Sequence, residues 1–152
     1  MRYEGDLLFR NLTDLYNTEE SNVRFSASGG KYIGKELLLV NIEVDHYINS
    51  FDTSPDVSNT IIKLNPIVSS NGKQYRFDVG LNAFTDMVSR NITRYYFYPH
   101  VYFSYNVFNE YFIPYASLSG NLYKNGIYSL TRENPFLNTR YMPQNSYTGF
   151  VS

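Results

Sequence analysis

Between Lys73 and Thr85, apolar and polar residues alternate with a period of two. Tyr75, Phe77, Val79, Leu81 and Ala83 share one face, and Gln74, Arg76, Asp78, Gly80 and Asn82 share the other. This is the pattern of a β-strand whose two faces meet different surroundings. The preceding Ser69 to Gly72 supplies an Asn71-Gly72 pair, which suits a type I′ turn because both central residues need positive φ. A tight hairpin is expected there. The entering strand, about Asn59 to Ser69, sets Thr60, Ile62, Leu64, Pro66 and Val68 against Asn59, Ile61, Lys63, Asn65, Ile67 and Ser69. Pro66 removes a ladder donor, so an edge, a bulge or a strand end is expected near it.

The same alternation makes Glu36 to Asn49 a long strand, with Leu38, Val40, Ile42 and Val44 opposite Asn41, Glu43 and Asp45. Val23, Phe25 and Ala27 alternate with Asn22, Arg24, Ser26 and Ser28, and the Gly29 to Gly34 stretch reads as the reversal into the next strand. Tyr3 to Tyr16 is less regular: Leu8, Leu12 and Leu15 fit a helical stripe, but a strand agrees better with its neighbours. After a connection from Asp86 to Asn91, Thr93 to Asn106 alternates again, Asn109 closes a turn, and Glu110 to Tyr123 forms another strand. A polar loop then opens at Lys124-Asn125-Gly126 and contains Pro135 and Pro143, and Ser146 to Val151 begins a last, partial strand. The fold class is therefore all-β, an antiparallel up-and-down meander of about 7 to 8 long strands in a single domain over residues 1–152. Strands of about 11 to 14 residues exceed the ~5–6 usual in soluble proteins and match the ~9–11 that cross a bilayer at a tilt, which makes the chain part or all of a transmembrane β-barrel.

Composition narrows the function. Aromatic residues make up 18% of the chain, from 16 Tyr and 11 Phe without Trp, yet the mean hydropathy is −0.37. Ring-rich but polar overall fits a soluble sandwich, and it fits equally a membrane barrel whose residues alternate between lipid and lumen. Thirteen basic and 14 acidic residues are interspersed to a net charge of −1, so no basic stripe awaits nucleic acid. The absence of cysteine removes disulfides, thiolate metal sites and cysteine nucleophiles. No serine-nucleophile motif, phosphate loop or dinucleotide fingerprint is present, so the chain reads as no enzyme and as needing no cofactor. No run reaches the ~18 apolar residues of a membrane-spanning helix. The polar start, Met1 to Asp6, is unlike a signal peptide, so an exported protein would here be a fragment or lack its leader.

Several phrases carry a family resemblance. The KLNP strand of Lys63 to Pro66, the tyrosine-rich strand at Tyr98-Pro99, the IPYA strand of Ile113 to Ala116 and the Ser129 to Phe136 loop resemble wall repeats of TonB-dependent-receptor-like outer-membrane β-barrels. The likeness covers most of Asn59 to Phe136. It implies an internal piece of a longer barrel wall in the outer membrane of a Gram-negative bacterium. It further implies receptor- or porin-like transport of an unidentified small-molecule or oligosaccharide solute, with outer-membrane lipid and the remainder of a larger barrel as partners. No energy-coupling box is found, so TonB coupling does not carry over.

In that frame Asn41, Glu43, Asp45, Lys63, Arg76, Asp78 and Asn82 are the candidate lumen-facing residues, and Tyr75, Phe77, Val79 and Leu81 the candidate lipid-facing ones. Glu43, Asp45 and Asp78 could also supply a glycosidase-like carboxylate pair, although a charge ladder with Lys63 and Arg76 is the ordinary reading. His46 and His100 are too isolated for a metal site. Tyr95, Tyr96, Tyr98 and Tyr102 suit an interfacial girdle, a stacking platform or plain packing across a sheet. Asn11-Leu12-Thr13 and Asn91-Ile92-Thr93 match the glycosylation acceptor pattern. The alternative function is a soluble β-barrel or β-sandwich ligand- or glycan-binding module, its apolar faces turned inward. A structural module of a surface or virion assembly is a third reading.

Overall fold

The computed structural model describes residues 2–13, 19–51, 54–88, 92–107, 111–123, 132–133 and 146–151. Eight strands follow one another in chain order, each antiparallel to the next: β1 (Arg2–Thr13), β2 (Glu19–Ile33), β3 (Glu36–Phe51), β4 (Ser54–Asn71), β5 (Tyr75–Val88), β6 (Ile92–Tyr105), β7 (Tyr115–Tyr123) and β8 (Ser146–Val151). The first six are 12 to 18 residues long. They form one up-and-down sheet; among the described residues β1 and β8 do not pair, so it is open. The first segment is a strand along its described length, and the last strand begins at Ser146 as the alternation indicates. The Asn109 turn, Asn91, the loop from Lys124 with Pro135 and Pro143, and all of the Ser129 to Phe136 motif except Arg132 and Glu133 lie outside the described residues.

Two reversals differ from expectation. The Gly29 to Gly34 stretch is not a broad loop. β2 runs through Gly29 and Gly30 to Ile33, which pairs with Glu36, and the turn is the two residues Gly34 and Lys35. Gly34 takes a φ of 67°, a left-handed conformation that glycine adopts without steric cost. The second hairpin does not turn on Asn71-Gly72. Asn71 pairs with Arg76, and Gly72 N–H donates to the Tyr75 carbonyl at 2.9 Å, leaving Lys73 and Gln74 as the turn. Neighbouring contacts hold it there: the Tyr75 ring lies where a Gly72 Cβ would be, and the Gln74 carbonyl accepts the N–H of Asn106 at 2.6 Å. The slide is two residues along each strand, a full side-chain period, so the faces read from sequence are unchanged.

Pro66 neither ends β4 nor marks an edge. It pairs with Val40 on β3, while bridging to β5 stops at Leu64/Ala83 and resumes at Ile67/Gly80. The backbones close up at this gap: a Cβ on Gly80 would sit 2.3 Å from the Pro66 carbonyl oxygen. The glycine is what lets the two backbones approach this closely.

The sheet also folds over itself. β6 and β7 pair only from Ser104/Tyr115 to His100/Ser119. Past that point β7 leaves β6, beside Pro99, and Gly120 to Tyr123 crosses above the inner face of β4 and β5. There Leu122 joins Ile61 and Phe84 in a small apolar cluster backed by Tyr96 and Tyr98. A Cβ on Gly120 would meet the Tyr98 ring at 2.6 Å, so this approach also depends on glycine.

Gly80→Ala should destabilise the fold by about 1–3 kcal/mol, because its methyl group meets backbone that cannot rotate away. The corresponding change at Gly29, where nothing lies within 4 Å of a Cβ, should cost less. Denaturant unfolding of the two variants checks this; equal midpoints would contradict the close approach.

Candidate functional site

Burial in this protein is inverted. Among the described residues, eleven polar or charged side chains are buried against four apolar ones, while Tyr75, Phe77, Val79 and Leu81 are 37–46% exposed. The parity of the ladder places every charged strand residue of β1 to β6 on the inner rows except Glu19, Lys31, Glu36 and Asp56, each within two residues of a strand end. The inner face is therefore where chemistry can occur.

All seven polar residues singled out from sequence lie on that face, six of them in three clusters. In the first, Arg24 on β2 donates from Nε to Asp45 Oδ1 at 2.7 Å and stands 3.7 Å from Glu43 Oε1; Asn22 Nδ2 adds a long bond to Asp45 at 3.4 Å. The second is a row of asparagine amides running across the strands. Asn41 Nδ2 donates to Asn65 Oδ1 at 3.0 Å, Asn65 donates to Asn82 Oδ1, and Asn82 Nδ2 donates to the Gly120 carbonyl at 2.8 Å. An amide both donates and accepts, so such a row can cross four strands with its groups satisfied in turn. In the third, Ser69 donates to Asp78, Arg76 Nε donates to Asp78 Oδ2 at 3.0 Å, and the Arg76 guanidinium lies 5.5 Å from the centre of the Tyr102 ring. Lys63, between the clusters, places Nζ 5.7 Å from the centre of the Phe84 ring.

Two cavities open among these groups. One, about 310 Å³, is lined by Glu4, Asp6, Ser26, Ser28, Asn41, Glu43, Lys63 and Asn65. The other, about 330 Å³, has Arg24, Asp45, Tyr47, Phe84 and Leu122 on its walls and shares Glu43 and Lys63 with the first. Both are of a size for a small hydrophilic molecule. Charged, amide and hydroxyl groups here can bind by hydrogen bonding and charge.

The glycosidase-like pairing of Asp78 with a β3 acid is not formed. Glu43 opposes Lys63 and Asp78 opposes Ser69, six residues apart along β4 or about 20 Å, against the ~5–9.5 Å such pairs need. Glu43 and Asp45 instead share Arg24. The two histidines face opposite sides: His46 Nδ1 is 2.8 Å from Thr60 Oγ1 on the outer face, and His100 lies in the inner row. No group of three or more His, Cys, Asp or Glu side chains among the described residues is arranged to hold a metal. The tyrosine cluster is divided. Tyr95 is exposed on the outer face, Tyr96 and Tyr98 back the inner apolar patch, and Tyr102 stacks on Tyr115 with centroids 6.5 Å apart. Sequence reasoning missed Asn22, Arg24 and Asn65 as members of these networks, although Arg24 directly opposes Asp45 and Asn65 directly opposes Asn41, both of which it did select.

Comparison with protein-family profiles, with characterised proteins and with solved structures found no match to this chain.

The Arg24–Asp45 pair is the best-formed ion pair on this face, and Asp45 is the buried partner. Arg24→Met should destabilise by stranding that carboxylate. The double variant Arg24→Met/Asp45→Asn should cost less than the sum of the single changes, with a coupling of about 1–3 kcal/mol. Strict additivity in a denaturation cycle would show that the pair contributes nothing.

Proposed function

We propose that this chain forms wall of an outer-membrane β-barrel of a Gram-negative bacterium, with the inner face contacting a hydrophilic small-molecule or oligosaccharide solute that the barrel passes or binds. The observation that carries the reading is the inverted polarity of the sheet. In a soluble protein, exposed apolar rows on long strands would be an association liability; in lipid they are the required surface. The backbone supports the same reading, because neighbouring strands satisfy each other's polar groups along most of their length.

The outer face of β5 and β6 has the layered order of a membrane belt. Tyr75 opposite Tyr105 and Phe77 opposite Phe103 lie at one rim, Val79, Val101 and Leu81 follow, and Phe97 and Tyr95 lie at the other rim. From Tyr75 to Thr85, the partner of Tyr95, is ten residues, about 33 Å along the strand. A tilt of about 40° reduces this to about 25 Å, the height of the apolar band of such barrels. On adjoining β4 the outward run Ile62, Leu64, Pro66, Val68 is bounded by Thr60 and Ser70.

The open edge of β1 calls for further strands, since an unpaired edge is costly in lipid. The TonB-dependent-receptor-like phrases add solute uptake to the proposal. The soluble ligand- or glycan-binding alternative requires the apolar rows to face a shared core, whereas here they are the exposed ones.

Refolding from urea into lipid vesicles, read by boiled against unboiled gel mobility, tests the assignment. The wild-type chain should enter the membrane fraction. Val79→Arg should reduce its folded fraction by a cost of about 2–4 kcal/mol, as for a cation placed on a lipid face, and Asp78→Asn should have a much smaller effect. Equal tolerance of the two changes, or a monodisperse wild-type protein without lipid or detergent, would overturn the proposal.

A further inference from the structure

Four polar side chains are packed away from solvent on the inner rows, toward the end of the sheet that carries the β1–β2, β3–β4 and β5–β6 connections. Asn49 and Asn59 are 1% exposed, Asp86 2% and Glu20 5%. The ladder brings them together. Glu20 directly opposes Asn49 on the β2–β3 pairing. Across β3–β4, Asn49 opposes Val57 and Tyr47 opposes Asn59, which makes the two asparagines diagonal neighbours on one face. On the other side of β4, Asn59 Nδ2 donates to Asp86 Oδ1 at 2.7 Å.

The amide oxygens on both asparagines are buried and have no hydrogen-bond partner. Buried carbonyl groups are ordinarily satisfied, and an orphan calls for an explanation. Turning the Asn59 amide over does not help, because it would put oxygen against the Asp86 carboxylate. The inner rows therefore set two free amide oxygens next to residues that carry carboxylates, Glu20 opposite Asn49 and Asp86 bonded to Asn59, all hard oxygen donors. Their natural complement is a hard cation. Calcium accepts six to eight oxygens in irregular arrangements, including Asn carbonyl, carboxylate and water, whereas magnesium demands near-ideal octahedral geometry.

We propose that Asn49, Asn59, Asp86 and Glu20 form a calcium site that ties β2, β3, β4 and β5 together at this rim. The site is independent of the membrane assignment, because it rests on side chains that face away from the outer surface. Half of its ligands are amides rather than carboxylates.

The test uses the full chain and Tb³⁺ as probe, with Tyr47, the residue opposite Asn59, as sensitiser. Tyrosine-sensitised Tb³⁺ emission should saturate and be displaced by Ca²⁺. The affinity should fall by about tenfold or more in Asn49→Leu/Asn59→Leu, while the outer-face Thr85→Val should leave it unchanged. A second variant covers a failure of the double mutant to fold. Asn59→Asp adds a carboxylate to the site, so it should melt lower than wild type in EDTA and regain or exceed the wild-type midpoint in millimolar Ca²⁺, with a shift that grows with concentration. Wild-type melting that is the same in EDTA and in Ca²⁺, or an Asn59→Asp defect that Ca²⁺ does not relieve, would overturn the proposal and assign the orphan oxygens to water.

Discussion

The continuous antiparallel ladder is the constraint on which the rest of the structure depends. Side chains alternate faces with a period of two, so a slip of one residue in any pairing would move an entire strand's charges to the opposite side. From β1 to β6 the pairings keep acids, bases and amides in phase, and Arg24, Asp45, Asn65 and Asp78 meet partners from neighbouring strands only because of it. Among the described residues the β3–β4 register shifts between Asn49 and Phe51, at the strand end, whereas features inside the strands that would ordinarily disturb a sheet are absorbed without changing phase. Pro66 interrupts bridging on one side only, and the hairpin after β4 slides by a whole period.

This explains what was legible in the sequence. Face membership follows from alternation, and alternation is local, so Asn41, Glu43, Asp45, Lys63, Arg76, Asp78 and Asn82 could be placed in common rows without knowing the fold. The position of the second turn could not. Asn71-Gly72 has the right local chemistry, but the Tyr75 ring packed on Gly72 and the Gln74 carbonyl claimed by Asn106, just past β6, are contacts whose arrangement sequence does not show. The departure of β7 from β6 is also non-local. Gly120 and Pro99 are visible in the sequence, yet their effect requires the Tyr98 ring to lie beneath the glycine.

The inner face is held by pairing rather than by bulk apolar burial. Taking an ion from water costs more than an exposed ion pair returns, so buried charges persist where hydrogen bonds complete their surroundings. Asp45 receives Arg24 and Asn22, and Asp78 receives Ser69 and Arg76. The asparagine row between these clusters carries no charge and therefore avoids that penalty. It ends on the Gly120 carbonyl, the part of β7 that folds back over the sheet. A polar network and a change in backbone direction are thus joined at a single amide.

Leu122 gives the interior a second character. Together with Ile61 and Phe84 it makes an apolar patch inside a face that is otherwise polar, and Lys63 joins the two regions with its Nζ over the Phe84 ring. The cavity beside this patch consequently has a ring and aliphatic groups on one wall and the Arg24, Glu43 and Asp45 charges on another. A purely ionic solute would gain from only one wall, and a purely apolar one would be opposed by the other. Molecules with both a hydroxyl-rich edge and a hydrocarbon face satisfy both walls, which is how the inner surface of the proposed barrel would discriminate among hydrophilic solutes.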